Sequence, residues 1–168
     1  QINAISCFKK SYQLINYQKS ISQEISVLGY LINELFEMCE YEQINYYSHI
    51  LDDIYPQINE SGLQGLENKY SFYNTKYLVL TYLEKYQEAL AVNDSMYIAY
   101  SNFIDCLIKQ NPQIKQTSLI NPKISYYCYK TFLLSQLSDK SKIEEIANDI
   151  VKDSLQYTNN EEATLYNY

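Results

Sequence analysis

The sequence predicts an all-α chain built from antiparallel helical hairpins around one core, and three observations carry that prediction. Only 3 Gly and 3 Pro serve 168 residues, too few for a sandwich or barrel that turns about every ten residues. The hydrophobic fraction is 46%, ordinary for a chain that buries a real core. The apolar residues recur at helical rather than alternating spacing. At this length a single domain spanning 1–168 is expected, with an irregular connection around 111–121.

Each element follows from local pattern. Ile25, Leu28, Ile32, Leu35 and Phe36 fall on one face of a 3.6-residue period and predict a helix over 25–36. Ile44, Tyr47, Leu51, Ile54 and Ile58 repeat the pattern, with Pro56 ending or closing that helix. Ser61, Gly62 and Gly65 then read as a loop, and a third helix as running from about Glu67 to Leu83. The next starts at Lys85. Its apolar spacing suits one long helix as far as Ile108, while Asp94 or Ser95 would equally cap a second one. Pro112 and Pro122 bracket the polar stretch Gln113 to Asn121, the expected irregular connection. Pro122 suits a first helical turn and opens a helix to Leu137. Asp139 and Ser141 open another, striped by Ile143, Ile146, Ala147, Ile150, Val151 and Leu155, which Asn159 and Asn160 should break. Glu161 to Tyr168 reads as the start of one more helix.

Composition excludes several functions. The chain has no Arg, and 13 Lys face 20 Asp and Glu for a net charge of −7. Direct nucleic-acid contact is therefore not expected, because affinity there comes from basic side chains displacing counterions. No apolar run approaches the roughly 18 to 20 residues that cross a bilayer, so membrane insertion is not expected. Cys7, Cys39, Cys106 and Cys128 lie far apart with no C-x-x-C spacing. They read as free thiols in the core, which leans towards a cytoplasmic compartment. His49 is the only histidine. No nucleophile, base and orienting acid can be assembled without it, and Asp52 and Asp53 beside it read as a solvated face. No enzyme activity, metal or cofactor is expected. The 20 Tyr could stack single-stranded bases, but an acidic chain without Arg favours semi-buried packing.

Self-similarity points further. Ala4, Phe8 and Ser11 place small, aromatic and small residues at helical spacing. Leu28-Gly29, Tyr41, Ile44 and Pro56 form a second set; Tyr73, Leu80 and Glu84-Lys-Tyr-Gln-Glu-Ala-Leu90 a third; Tyr127, Leu134, Ile143, Ala147 and Ile150 a fainter fourth. This pattern resembles the tetratricopeptide repeat (TPR), an α-α superhelix of helical hairpins, with the chain starting on a second helix and cut short in a first. That arrangement leaves both ends of the stack uncapped and suggests a fragment of a longer array. Taking Ala4, Ile44, Ala89 and Ile143 as equivalent gives separations of 40, 45 and 54 residues instead of about 34. Ile44 replaces the usual Ala, and Tyr77 and Lys76 replace a small residue and Leu.

The resemblance implies a concave groove lined from the first helix of each pair. The candidates are Tyr30, Asn33 and Glu34, then Asn74, Leu78 and Tyr82, then Cys128, Phe132 and Gln136. Amides can satisfy an extended backbone while Tyr and Phe bury side chains at small entropic cost. None of these positions is basic, so the TPR subtype that grips a C-terminal carboxylate is not expected. The expectation is a non-catalytic module that binds a peptide or protein segment, as the sensing part of a larger bacterial regulator. The alternative is a structural or adaptor subunit whose groove a neighbour fills, as a homo-oligomer or in a larger complex.

Overall fold

A computed structural model of the chain describes residues 2–18, 20–113 and 122–158. They form seven α-helices: α1 (Ile2–Gln18), α2 (Ile21–Glu37), α3 (Tyr41–Ile54), α4 (Gly62–Tyr82), α5 (Tyr86–Gln110), α6 (Pro122–Gln136) and α7 (Lys140–Thr158). A single 3₁₀ turn, Tyr55–Gln57, follows α3 and carries Pro56. No strand occurs among the described residues. The chain is all-α.

Helices consecutive in sequence pack on each other, and α2 also packs directly on α4. The cores follow that order. Ile25, Leu28, Leu51, Ile54 and Phe72 join α2, α3 and α4 at one end. Leu31, Ile32, Leu35 and Ile44 meet Val79 at the other. Tyr77, Leu80, Ala89, Met96 and Leu133 join α4, α5 and α6. The five buried side chains of α2 are all Leu or Ile, so the apolar stripe read from its sequence is the face the helix buries.

The turns that end α2, α4 and α6 are congruent. Cys39, Glu84 and Ser138 adopt φ of 57°, 56° and 57°. The next amide in each case donates across the turn: Glu40 N to Leu35 O at 2.9 Å, Lys85 N to Leu80 O at 2.8 Å, and Asp139 N to Leu134 O at 3.0 Å. This is a Schellman-type closure, in which a left-handed residue just past the helix end lets orphan carbonyls find amide partners. Leu35, Leu80 and Leu134 are all buried. Ile44, Ala89 and Ile143, equated above from sequence alone, each lie five residues past the left-handed residue.

Several expectations are corrected. The stretch Ser61 to Gly65 is not a loop through its length, because α4 begins at Gly62. Gly65 is buried inside its first turns, where the chain folds back so closely that a Cβ would lie 1.9 Å from the Asn59 carbonyl oxygen. That glycine serves a close approach rather than a turn. The cysteines are free but do not build the core: Cys7, Cys39 and Cys128 are exposed, and Cys106 is partly so. Cys39 occupies a left-handed turn position, and Cys128 lies on an outward face of α6.

The open question about residues 85–110 resolves to one continuous helix, α5. Asp94 and Ser95 do not cap: Ser95 Oγ donates back to the Ala91 carbonyl at 3.3 Å, while Asp94, with Asn93, reaches α6. Asn93 is fully buried and its Nδ2 donates to the Tyr126 carbonyl at 3.2 Å. Asp94 Oδ1 accepts from the Tyr126 hydroxyl at 2.9 Å, and Lys130 Nζ stands 3.6 Å from the same oxygen. At the start of α7, Asp139 Oδ1 accepts from the Lys142 amide at 3.2 Å, the capping expected of it. Lys142 holds the Asp139 carboxyl below its usual range. Most of the expected connection, and the expectations for Asn159 to Tyr168, lie outside the described residues.

Candidate functional site

The side-by-side packing of α2 and α4 builds an open concavity. The two helices run in the same direction, with Leu28 against Phe72 at one end and Phe36 against Tyr82 at the other. Gly29 of α2 faces Thr75 of α4: a Cβ there would stand 3.4 Å from Thr75 Oγ1 and 3.9 Å from its Cγ2, ordinary contact distances. Gly29 and Thr75 make the floor of an open cleft of about 210 Å³. Tyr30 and Asn33 face it from α2, and Asn74 and Leu78 from α4.

Four of the residues predicted from sequence are thus brought together. Tyr30 is 61% exposed and stacks on Phe8 of α1, with ring centroids 5.8 Å apart at 15°. Tyr82 closes one end without lining the cleft. Its hydroxyl donates to Asn33 Oδ1 at 2.6 Å, and its ring lies on Phe36 at 3.8 Å and 8°. Burial, and then the nearby Glu37 charge, push the Tyr82 hydroxyl above its ordinary pKa, so it stays protonated and a donor. The bond engages one of the two lone pairs of the Asn33 oxygen, orients that amide, and leaves its two N–H donors unused. The Asn74 side chain makes no hydrogen bond among the described residues, so its carbonyl and amino groups are both available to a ligand.

The remaining candidates lie elsewhere. Glu34 is half-buried on α2, outside the cleft. Cys128, Phe132 and Gln136 are exposed on α6, also outside it. Rings take the space around α6: Tyr77 of α4 meets Tyr129 at 4.8 Å, and Tyr97 of α5 meets Tyr126 at 4.8 Å. The gap left among Tyr70, Asn93, Tyr100 and Tyr129 is only about 10 Å³. Sequence reasoning missed Ser26, Ser71 and Thr75, which also line the α2/α4 cleft. A signal existed. Ser26, Ser71 and Ser125 each stand thirteen residues before the left-handed residue of their turn, and aligning the chain on its turns exposes them.

Charge is arranged around the cleft and not in it. None of its ten lining residues is Asp, Glu, Lys or His. The two lysines of α4 point to other carboxylates: Lys69 Nζ lies 2.6 Å from Glu60, and Lys76 Nζ 2.7 Å from Asp52. Lys76 also donates to Ser48 Oγ at 3.2 Å. His49 is exposed on α3. Among the described residues no three His, Cys, Asp or Glu side chains gather as a metal site, and no helix is long and apolar enough to cross a membrane. No known protein family, curated protein or solved structure is matched by the chain.

Proposed function

We propose that the chain is a non-catalytic binding module of TPR-like helical hairpins, and that the α2/α4 cleft takes a peptide or protein segment. The observation that carries this reading is the convergence of Tyr30, Asn33, Asn74 and Leu78 on one open cleft. Amide groups for a backbone and aromatic and aliphatic surface for side chains occur there together, the mixture that peptide-binding surfaces use. The three congruent turns support the repeat, because they set Ile44, Ala89 and Ile143 in one register despite unequal spacing. The cleft's size favours a segment over a cofactor: about 210 Å³ is below the roughly 300 to 1,000 Å³ of small-molecule sites.

The test uses a plug. The chain has no Trp, so Ser71→Trp places one large ring in the cleft and adds a single fluorescent reporter. Wild-type protein immobilised on beads should retain members of a pool of short capped peptides, and the Ser71→Trp protein, with an unchanged far-UV circular dichroism spectrum, should not. Equal retention by both would overturn the assignment of the cleft, and no retention by the wild type would overturn peptide binding itself.

A further inference from the structure

We infer that the segment held in the α2/α4 cleft is uncharged where it is held, and that it is read through about three residues of extended backbone. The inference rests on the binding reading above and adds the chemical class of the ligand. It starts from the lining. A charged side chain seated in the cleft would give up hydration without meeting an opposite charge, because none of the ten lining residues carries one. An acidic ligand is disfavoured more strongly. α2 contains Glu24, Glu34 and Glu37 and no basic residue, while Lys69 and Lys76 of α4 are already held by Glu60 and Asp52.

Length follows from helix geometry. From Ser26 to Asn33 on α2 is seven residues, or roughly 10 Å along the axis at 1.5 Å per residue. An extended chain advances about 3.3 Å per residue, so the cleft accommodates about three. The polar atoms set how they are held. Asn74 offers a donor and an acceptor, enough to match the N–H and C=O of one residue's backbone. Asn33 has its oxygen turned to the Tyr82 hydroxyl, so the end of the amide it presents is the NH2, which takes a carbonyl. Tyr82 is a positioning residue: it touches no ligand and fixes which end of the Asn33 amide faces outwards.

The experiment presents three pools of short peptides, capped at both ends: one without charged residues, one with fixed aspartates and one with fixed lysines. Retention is read by mass spectrometry at low and high salt. The uncharged pool should be retained, with little change on adding salt. Tyr82→Phe keeps the ring stack on Phe36 and removes only the hydroxyl, and should lower retention about tenfold, the factor that corresponds to one hydrogen bond's worth of lost orientation. Asn74→Asp should move preference to the lysine pool, a change that a merely structural role would not produce. Preferential retention of a charged pool by the wild type, abolished by Ser71→Trp, would overturn the neutral class and leave the cleft standing. Retention of any pool that ignores Ser71→Trp, or of no pool at all, would overturn the binding reading on which the inference rests.

Discussion

At the scale of single residues, two glycines inside helices have opposite meanings. Gly65 is buried, and a methyl group there would collide with the backbone of Asn59 and Glu60. Backbone cannot swing aside as a side chain can, so the whole entry into α4 would have to shift. Gly65→Ala is expected to destabilise by about 1–3 kcal/mol, the usual range for overpacking. Gly29 has room: its nearest neighbour is the Thr75 side chain at ordinary contact distance. Gly29→Ala should range from neutral to stabilising by up to about 1 kcal/mol, because Ala gains helix propensity and loses only a shallow part of the cleft floor. Urea unfolding of the two variants beside the wild type checks both signs at once. If Gly65→Ala proves neutral, the close turn from Asn59 into α4 is wrong.

At the scale of elements, the three turns explain both what the sequence made legible and what it hid. The stripes of α2 and α7 were readable because Leu and Ile at helical spacing have few alternatives. The starts of α5, α6 and α7 were readable to within a residue or two from Lys85, Pro122 and Asp139. The turns were not, because the expected marker of a helix end is Gly in the left-handed region, and here Cys39, Glu84 and Ser138 hold it. Gly65 misled instead, since it read as loop and lies inside α4, whereas Gly62, at the entry to α4, does take a left-handed φ of 76°. The cleft was half legible for the same reason. Tyr30, Asn33, Asn74 and Leu78 follow from the TPR resemblance, whereas Ser26 and Ser71 need the turn register, and Thr75 and the contact of Tyr77 with Tyr129 need the packing itself. A prediction follows for the turns. A residue with a Cβ gives up roughly 1 kcal/mol in the left-handed region relative to Gly, so Cys39→Gly, Glu84→Gly and Ser138→Gly should each raise stability by about that much. The sites are far apart, so the triple variant should be close to additive, as thermal melts of the single and triple variants will show. Destabilisation at any one of them would mean that its side chain makes a contact worth more than the strain.

At the scale of the whole molecule, tyrosine is the material of the helix junctions. Phe8 and Tyr30 join α1 to α2, Phe36 and Tyr82 join α2 to α4, Tyr70 and Tyr100 join α4 to α5, and Tyr97 and Tyr126 join α5 to α6. Burying a phenol penalises its ionised form. Burial is accordingly the leading reason that Tyr12, Tyr73 and Tyr77 are pushed from 10.0 up to about 12, with the Glu24 charge adding to it at Tyr12 and the Tyr55 hydroxyl at Tyr73. Tyr47, Tyr70, Tyr100 and Tyr126 are raised as well, again chiefly by burial. Below about pH 10 these groups are protonated whether the chain is folded or not, so the stabilisation they allow is fully present. Above it the unfolded chain loses their protons and the folded chain keeps them, so stability falls as pH rises towards about 12. The loss should be spread over the helices from α1 to α6, since the rings span their junctions. With no Trp in the chain, tyrosinate absorbance reports these phenols directly. Titrated beside helicity, the exposed tyrosines should ionise first without loss of structure, and the remainder should ionise together with unfolding between about pH 10 and 12. A single titration near pH 10 with helicity unchanged would show that the rings are solvated, and the junctions between these helices would then have to be held by the aliphatic core alone.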